Sequence, residues 1–306
     1  MGKRKFFSRK DGTYLKKIDP FMRFFPYIMK GRNEAAIYFS EQIDITQLKA
    51  WLLTRNRAAA ASGEGVKSTL FHAVLTALVK TIHERPQINR FVIGRRLYQR
   101  HELSCAFVIK REFKDDSNEE IAVMKFKPED TITTISERIR DEVQQVRQKA
   151  QEDEKKRHGI VNWFNYLMST PRIILRGLVR FLAWLDYHGW LPGFVLELDP
   201  MHSSIFISNL GSLGIDAPFH HLYEWGTTSI FMTIGVAKKI PVATSEGAVE
   251  IHDVMNLAFT IDERISDGFY FARSIKRLRY FLERPEELDK PSGTPHHKNE
   301  DETAVS

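Results

Sequence analysis

The sequence predicts a layered α/β fold with a mixed sheet. Helix patterns dominate the early part of the chain, whereas strand patterns follow one another closely between residues 203 and 262. A last helix pattern covers residues 268–283, where Phe271, Ile275 and Leu278 are spaced for one buried face. Strands and helices do not alternate regularly, which argues against a doubly wound sheet.

The earlier elements follow from apolar periodicity and turn residues. Residues 67–86 predict a strong helix, because Leu70, Val74 and Leu78 recur every four residues and Pro86 ends the pattern. The other helix patterns are 44–57 and 134–158. The strand patterns are 35–45, 91–99 (a hairpin that turns near Gly94), 103–113, 119–126, 203–210, 228–240, 248–252 and 254–262.

Composition narrows the class of protein. The chain has 306 residues, of which 42% are hydrophobic, so it can bury a sizeable core. Its single cysteine, Cys105, excludes an intrachain disulfide and any multi-cysteine metal site, and it fits a reducing cytosol. Residues 1–12 lack the apolar segment of a secretory signal, and no uncharged run is long enough to span a membrane. We therefore expect a cytoplasmic location.

The chain divides into one large domain with two polar ends. Residues 1–18 read as a polar basic arm, 19–285 as the domain, and 286–306 as a disordered tail rich in polar residues and proline. Within the domain, residues 160–192 form a helical insertion rich in aromatic residues and arginine. The net charge of +6 fits nucleic acid, anionic lipid or a phosphorylated cofactor. The arm lacks interleaved aromatics and no DNA-binding helix pair is evident, which argues against nucleic acid.

Two stretches carry a resemblance to a known family. "FISNLGSLGIDAPFHHLYEWGTTSIFMTIGVAKK" contains a Ser-Asn-Leu-Gly loop followed by a long strand, and "AFTIDERISDGFYFARSIKRLRYFLERPEEL" has the spacing of a closing D-H-R-x-x-D-G motif. In both, the chain resembles the acyltransferase catalytic domain of 2-oxo acid dehydrogenase complexes and the related chloramphenicol acetyltransferases. "FHAVLTALVKTIHERPQINRFV" is also similar to that family's early helix, so the resemblance covers most of residues 20–285.

The resemblance implies a fold and an activity. The fold would be a chloramphenicol acetyltransferase-like two-layer α/β sandwich, a single domain that assembles as a homotrimer with active sites between subunits. The activity would be acyl transfer between coenzyme A, as acyl-CoA co-substrate, and a thiol, amine or hydroxyl. Only about 20 residues precede the resemblance, too few for a lipoyl domain, so we expect a standalone enzyme or one served by a separate acyl carrier.

The sequence departs from the family at the base. Glu263 stands where the family motif has the histidine that accepts the proton of the attacking thiol or hydroxyl. Proton transfer from a thiol (pKa ~8.5) to imidazole (~6.5) costs about 3 kcal/mol, and to an ordinary glutamate (~4.3) about 6 kcal/mol. Burial in an apolar channel raises a carboxyl pKa and an adjacent arginine lowers it. Two alternatives follow: Glu263 is a working base, or it forms an ion pair with an arginine, such as the neighbouring Arg264.

Other residues of the two motifs have implied roles. Ser208 matches the serine whose hydroxyl donates to the tetrahedral oxyanion, a contact that can contribute roughly 3–4 kcal/mol; alternatively it bonds backbone at a strand end. Asp267 matches the motif's last aspartate, which holds the loop through an arginine, here Arg23 or Arg264. His220 and His221 follow the Ser-Asn-Leu-Gly loop and could replace the missing histidine, although either could equally be an ordinary surface or core histidine.

The candidate contacts to coenzyme A are predicted from loop position and charge rather than from the motif residues. Asn209 and Gly211 lie in the loop after Ser208 and are candidates for cofactor binding, as is Arg176. Arg172, Arg176 and Arg180 recur every four residues among aromatic side chains, so they share one helix face. That face could bind the phosphates of coenzyme A, contact a membrane surface, cover a hydrophobic acyl group, or simply be solvated.

Two functions from different classes remain open. The first is a coenzyme A-dependent acyltransferase, and the second is a catalytically degenerate family member that binds a ligand or partner as a trimer. No histidine pair with a third ligand occurs in a credible context, so we expect no metal.

Overall fold

The structure is a computed structural model that describes residues 9–63, 65–110, 119–152, 169–243 and 246–293. In this part of the chain the helices are α1 (Pro20–Ile28), α2 (Thr46–Ser62), α3 (Leu70–Glu84), α4 (Ile132–Glu152), α5 (Arg172–His188), α6 (Gly193–Leu198) and α7 (Gly268–Glu283). The strands are β1 (Gly12–Tyr14), β2 (Ala36–Asp44), β3 (Arg90–Ile93), β4 (Arg96–Arg100), β5 (Leu103–Lys110), β6 (Glu119–Phe126), β7 (Ile205–Asn209), β8 (Ile230–Ile234), β9 (Lys238–Ala243) and β10 (Val249–Asp262).

The main sheet is mixed, as predicted. Its strand order is β2-β10-β8-β7-β5-β6, and β9 pairs with the first half of β10. β8, β7 and β5 run parallel, whereas β10 is antiparallel to β2, β8 and β9. A smaller sheet of order β1-β4-β3 contains the predicted hairpin, whose turn has positive φ at Gly94 and Arg95.

The two faces of the main sheet differ in what covers them. Alternate strand residues such as Ile207, Met232 and Phe259 share a large core with α2, α3, α4 and α7. The residues between them face a smaller cluster, in which Phe206 and Phe231 lie against the loop around Leu222. The fold is therefore a sheet layer and a helix layer, with the second sheet face partly covered by loop. Ser208, two residues after Phe206, lies on that second face.

Two strand boundaries differ from the sequence expectation. Residues 248–252 and 254–262 form one strand, β10, because β2 and β9 together pair along its whole length. Residues 228–240 instead divide into β8 and β9 at Gly235. The chain at 216–217 lies against that glycine, and a Cβ added there would be 2.6 Å from Asp216 Oδ1.

Parts of both predicted polar ends belong to the folded body. Residues 12–14 of the arm form β1, and Arg9 is buried. Residues 286–293, predicted as disordered tail, pack on the body because Leu288 is fully buried and the Lys80 ammonium donates to the Lys290 carbonyl at 2.7 Å. Residues 1–8 of the arm, residues 294–306 of the tail and residues 160–168 of the insertion lie outside the described residues.

Candidate active site

The loop at the end of β10 is organised by a buried ion pair. Asp262 is fully buried, and its two carboxylate oxygens each accept a 2.7 Å hydrogen bond from the Arg264 guanidinium. The remaining Arg264 nitrogen donates to the Met29 carbonyl at 2.9 Å, at the end of α1. Arg264 is therefore fully engaged by Asp262 and backbone, so it partners neither Glu263 nor Asp267.

Glu263 has a free side chain. Its backbone N–H donates to the Ala35 carbonyl at 2.9 Å, which fixes the residue beside the start of β2. The side chain is half-buried, and its carboxylate forms no hydrogen bond or ion pair with the residues that the structure describes. The alternative in which an arginine of the strand end neutralises Glu263 is thus wrong for this part of the chain.

Asp267 has a structural role different from the one implied. It is the N-cap of α7, where its carboxylate accepts a 2.8 Å hydrogen bond from the backbone N–H of Tyr270. The expected arginine contact is absent among the described residues, because Arg264 is bound to Asp262 and Arg23 is exposed on α1 without a bond to Asp267. Asp267 therefore fixes the start of the helix rather than clamping the loop through an arginine.

Ser208 is available for an incoming group. It is half-buried near the end of β7, opposite Thr233 of β8, and its hydroxyl forms no hydrogen bond with the described residues. In the following loop, a Cβ added at Gly211 would lie 2.4 Å from the Gly235 carbonyl oxygen, so this position requires glycine for close packing. Asn209 is half-buried, and its carbonyl accepts from the Ser212 hydroxyl at 2.8 Å.

Within one chain, Ser208 and Glu263 lie far apart. Ser208 is opposite Thr233, and Thr233 is opposite Ala258 of β10. Glu263 follows Ala258 by five residues (263 minus 258), which is roughly 16 Å at ~3.3 Å per strand residue. A base and an oxyanion donor that serve one acyl group lie within a few ångströms of the reacting atoms. A single chain therefore cannot use both residues on one substrate.

His220 lies close to the sheet face that carries Ser208. Its ring stacks on Phe231, with centroids 3.9 Å apart and planes at 12°. Burial lowers the pKa of His220, so its imidazole is neutral near pH 7. Because a carbonyl only accepts, the 2.7 Å bond to the His221 carbonyl is donated by Nδ1, which leaves a lone pair on Nε2. His221 itself is exposed, and its Nδ1 donates to the Leu222 carbonyl at 2.9 Å.

Arg176 lies on α5 and is exposed. No hydrogen bond or ion pair among the described residues joins it to the Ser208 loop or to Glu263. The three residues predicted to bind coenzyme A are thus divided between the loop after β7, which holds Asn209 and Gly211, and a separate helix. In the described ranges no group of three or more His, Cys, Asp and Glu side chains is arranged to hold a metal ion.

A buried charged network was missed by the sequence reasoning. The Arg9 guanidinium bonds Asp11 and Asp186, each at 2.8 Å. Asp186 also contacts His202 Nε2 at 3.3 Å, and His202 Nδ1 contacts Asp199 at 3.0 Å. Burial alone lowers the pKa of His202, but the two carboxylates outweigh it and raise that pKa. A cavity of about 330 Å³ adjoins Asp199 and His202. Because Arg9 and Asp186 are 177 residues apart, no local pattern could reveal the network.

Comparison with known proteins supports the resemblance. Residues 196–289 match the family model described as 2-oxoacid dehydrogenases acyltransferase (catalytic domain). The chain is 21% identical, over 245 residues, to the lipoamide acyltransferase component of the branched-chain alpha-keto acid dehydrogenase complex of Bacillus subtilis. That match covers 79% of this chain and 45% of the relative, so the chain spans a little under half of the relative's length.

Solved structures agree on the fold. A probable dihydrolipoamide acetyltransferase from Listeria monocytogenes is 16% identical with a TM-score of 0.55, covering 89% of this chain and 95% of that one. A dihydrolipoamide acetyltransferase from Azotobacter vinelandii is 17% identical with a TM-score of 0.51, covering 90% and 94%. The latter structure addresses the roles of a serine, a histidine and an asparagine in catalysis. Residues 196–289 therefore match the acyltransferase catalytic domain of the 2-oxoacid dehydrogenases, and the described chain has the fold of that domain.

Proposed function

We propose that this protein is a coenzyme A-dependent acyltransferase that works as a homotrimer, with each active site shared between two copies. The observation that supports the proposal is that the two adjacent carboxylates at the end of β10, Asp262 and Glu263, have different environments. Asp262 occupies Arg264 completely and leaves the adjacent carboxylate of Glu263 half-buried and unpaired among the described residues. An unpaired carboxylate can accept a proton, whereas one locked against a guanidinium is a far weaker base.

The proposed acyl transfer requires two side chains of this protein, Glu263 as the base and Ser208 as the hydrogen-bond donor to the oxyanion. The Glu263 carboxylate takes the proton of the coenzyme A thiol, and the thiolate sulfur bonds to the acyl carbon of the donor. The resulting oxyanion accepts a hydrogen bond from the Ser208 hydroxyl of a neighbouring copy. When the carbonyl reforms, the bond to the leaving group breaks, and the leaving group takes the proton back from Glu263. The reverse sequence acylates an acceptor from acyl-CoA.

Three residues of this chain are assigned as counterparts of the catalytic residues of the Azotobacter acetyltransferase, which are a serine, a histidine and an asparagine. The counterparts are Ser208, Glu263 and Asp267, of which Asp267 acts by capping α7. We propose further that a separate acyl carrier or a small thiol, amine or hydroxyl serves as the acyl acceptor.

A turnover assay with a serine variant tests the proposal. The purified protein is offered a panel of acyl-CoA thioesters with dihydrolipoamide, amines or alcohols as acceptors, and thiol release or exchange is measured. We expect turnover of at least one thioester and a loss of about 10²–10³ in kcat for Ser208→Ala, because the oxyanion loses its donor. Ser40→Ala removes an exposed hydroxyl of β2 that forms no hydrogen bond with the described residues, and it should leave kcat unchanged.

Other outcomes contradict the proposal. Coenzyme A binding without turnover of any thioester would favour the catalytically degenerate alternative, in which the fold is kept to bind a ligand. Turnover that is insensitive to Ser208→Ala would remove this serine from the mechanism.

A further inference from the structure

Helix α5 protrudes from the domain along much of its length. Within residues 172–181, only Leu175 is even half-buried. The side that faces the protein carries Leu182, Leu185 and Asp186, towards the C-terminal end of the helix. An apolar helix surface that is exposed in this way is typical of a site that binds another protein or a membrane.

The exposed side of α5 has an apolar and aromatic stripe. At 3.6 residues per turn, Ile173, Ile174, Phe181 and Trp184 fall on adjoining positions of one side, and they are 84%, 58%, 55% and 47% exposed. Trp184 stacks with Phe181 at 6.3 Å and meets Trp190 edge-on at 5.3 Å, so the aromatic rings form one surface cluster. Tryptophan and tyrosine favour the boundary between water and acyl chains, because their rings are apolar with one polar edge.

A basic stripe lies beside the apolar one. Arg172, Arg176 and Arg180 are exposed, and they form no ion pair with the described residues. The one acidic residue of α5, Asp186, is buried and bound to Arg9 and His202. The exposed side of the helix therefore presents three positive charges and no carboxylate.

The combination of stripes selects one kind of partner. A nucleic acid would neutralise the arginines but leave Ile173 and Phe181 in water. A second copy packed symmetrically on α5 would bring the arginine stripes of both copies together. The interface of an anionic bilayer accepts both stripes at once, because the apolar residues enter the acyl boundary while the arginines meet lipid phosphates.

Two contacts hold the C-terminal end of α5 against the domain. Arg9 donates to the Asp186 carboxylate at 2.8 Å and to the Asp186 carbonyl at 2.6 Å. The hairpin turn also touches the helix end, where a Cβ added at Gly94 would lie 2.3 Å from the Tyr187 carbonyl oxygen. The anchored C-terminal end leaves the first half of the helix to project outward. No helix in the described ranges is long and apolar enough to cross a bilayer.

We propose that the outer face of α5, formed by its arginine stripe and its Ile-Phe-Trp stripe, binds the surface of an anionic phospholipid membrane. The proposal is independent of acyl transfer, since a catalytically silent protein would bind in the same way. It also assigns a role to the 160–192 insertion, which the acyltransferase chemistry leaves without one.

Co-sedimentation of the full chain with vesicles tests this proposal. With about 30% phosphatidylserine in phosphatidylcholine, binding should be on the order of a hundred-fold stronger than with phosphatidylcholine alone, since three arginines lie near the surface. Added salt should weaken it. Arg176→Glu/Arg180→Glu should abolish the preference for anionic vesicles, and Ile173→Ser/Phe181→Ser should weaken binding to them with the preference retained.

A matched control separates the α5 face from net charge. Arg57→Glu/Lys276→Glu makes the same charge change on α2 and α7 and should bind as the unaltered protein does. Circular dichroism melting of each variant checks that it is folded. Three results would overturn the proposal: no vesicle binding, equal loss in the control, or a change of oligomeric state in Arg176→Glu/Arg180→Glu without vesicle binding, which would show that a second copy covers α5.

Discussion

Glu263→Gln should lower kcat for acyl transfer by about 10²–10⁴, the usual contribution of a positioned general base. The variant keeps the shape and half-burial of the side chain but removes the group that accepts the thiol proton. Its stability should change by less than about 0.5 kcal/mol, because no described residue bonds the Glu263 carboxylate. Steady-state kinetics with the best thioester, together with urea denaturation, measures both quantities.

Two companion variants make the result specific. Glu286→Gln makes the same chemical change at an exposed carboxylate away from the strand end and should leave kcat as it was. His220→Asn removes the neutral imidazole that stacks on Phe231. If His220→Asn abolishes turnover while Glu263→Gln does not, the base is His220, and the assignment of Glu263 is wrong.

Asp262→Asn should have the largest effect on stability, about 3–5 kcal/mol, because it leaves a buried guanidinium without its counter-charge. Asp262 is 0% exposed and Arg264 2% exposed. A second buried arginine, Arg32, is 3% exposed and also feels this carboxylate. Burial lowers the pKa of Arg32, the Asp262 charge raises it and Arg264 lowers it again. Without Asp262, two positive charges would repel each other in the core.

Urea denaturation of the Asp262 and Glu263 variants compares two adjacent carboxylates directly. If Asp262→Asn is too unstable to purify, the double variant Asp262→Asn/Arg264→Gln should recover part of the loss, since it removes the uncompensated charge. Equal free energies of unfolding for Asp262→Asn and Glu263→Gln would contradict the division of roles between the two residues.

Much of the fold could be predicted from periodicity. The four-residue repeat of Leu70, Val74 and Leu78 predicts α3, and the spacing of Phe271 and Leu278 predicts α7; all but the half-buried Leu70 are buried. The strand boundaries failed where a distant partner decides them. β10 continues through residue 253 because β9 pairs there, and β8 ends at Ile234 because residues 216–217 approach the next residue, Gly235.

The sequence predicts candidate site residues but not their contacts. Family spacing indicates Glu263 and Ser208 as candidates, whereas the partner of Arg264 depends on which of two adjacent carboxylates points inward. Successive strand residues point to opposite faces, and the short turn after Asp262 brings Arg264 back onto that residue. Such a choice is made by three-dimensional geometry rather than composition. The Arg9–Asp186 contact likewise joins the predicted arm to the insertion across most of the chain.

We expect each active site to take Glu263 from one copy and Ser208 from another, because roughly 16 Å separates these residues along the sheet of a single chain. The direct test is to co-express Ser208→Ala and Glu263→Gln chains with different tags, isolate mixed assemblies and measure turnover. Each variant alone should be inactive, whereas random mixing should restore about a quarter of the activity, since a complete site needs the intact residue from each of two different chains. The double variant Ser208→Ala/Glu263→Gln alone should restore nothing. Mixed assemblies as inactive as the separate variants would contradict a shared site.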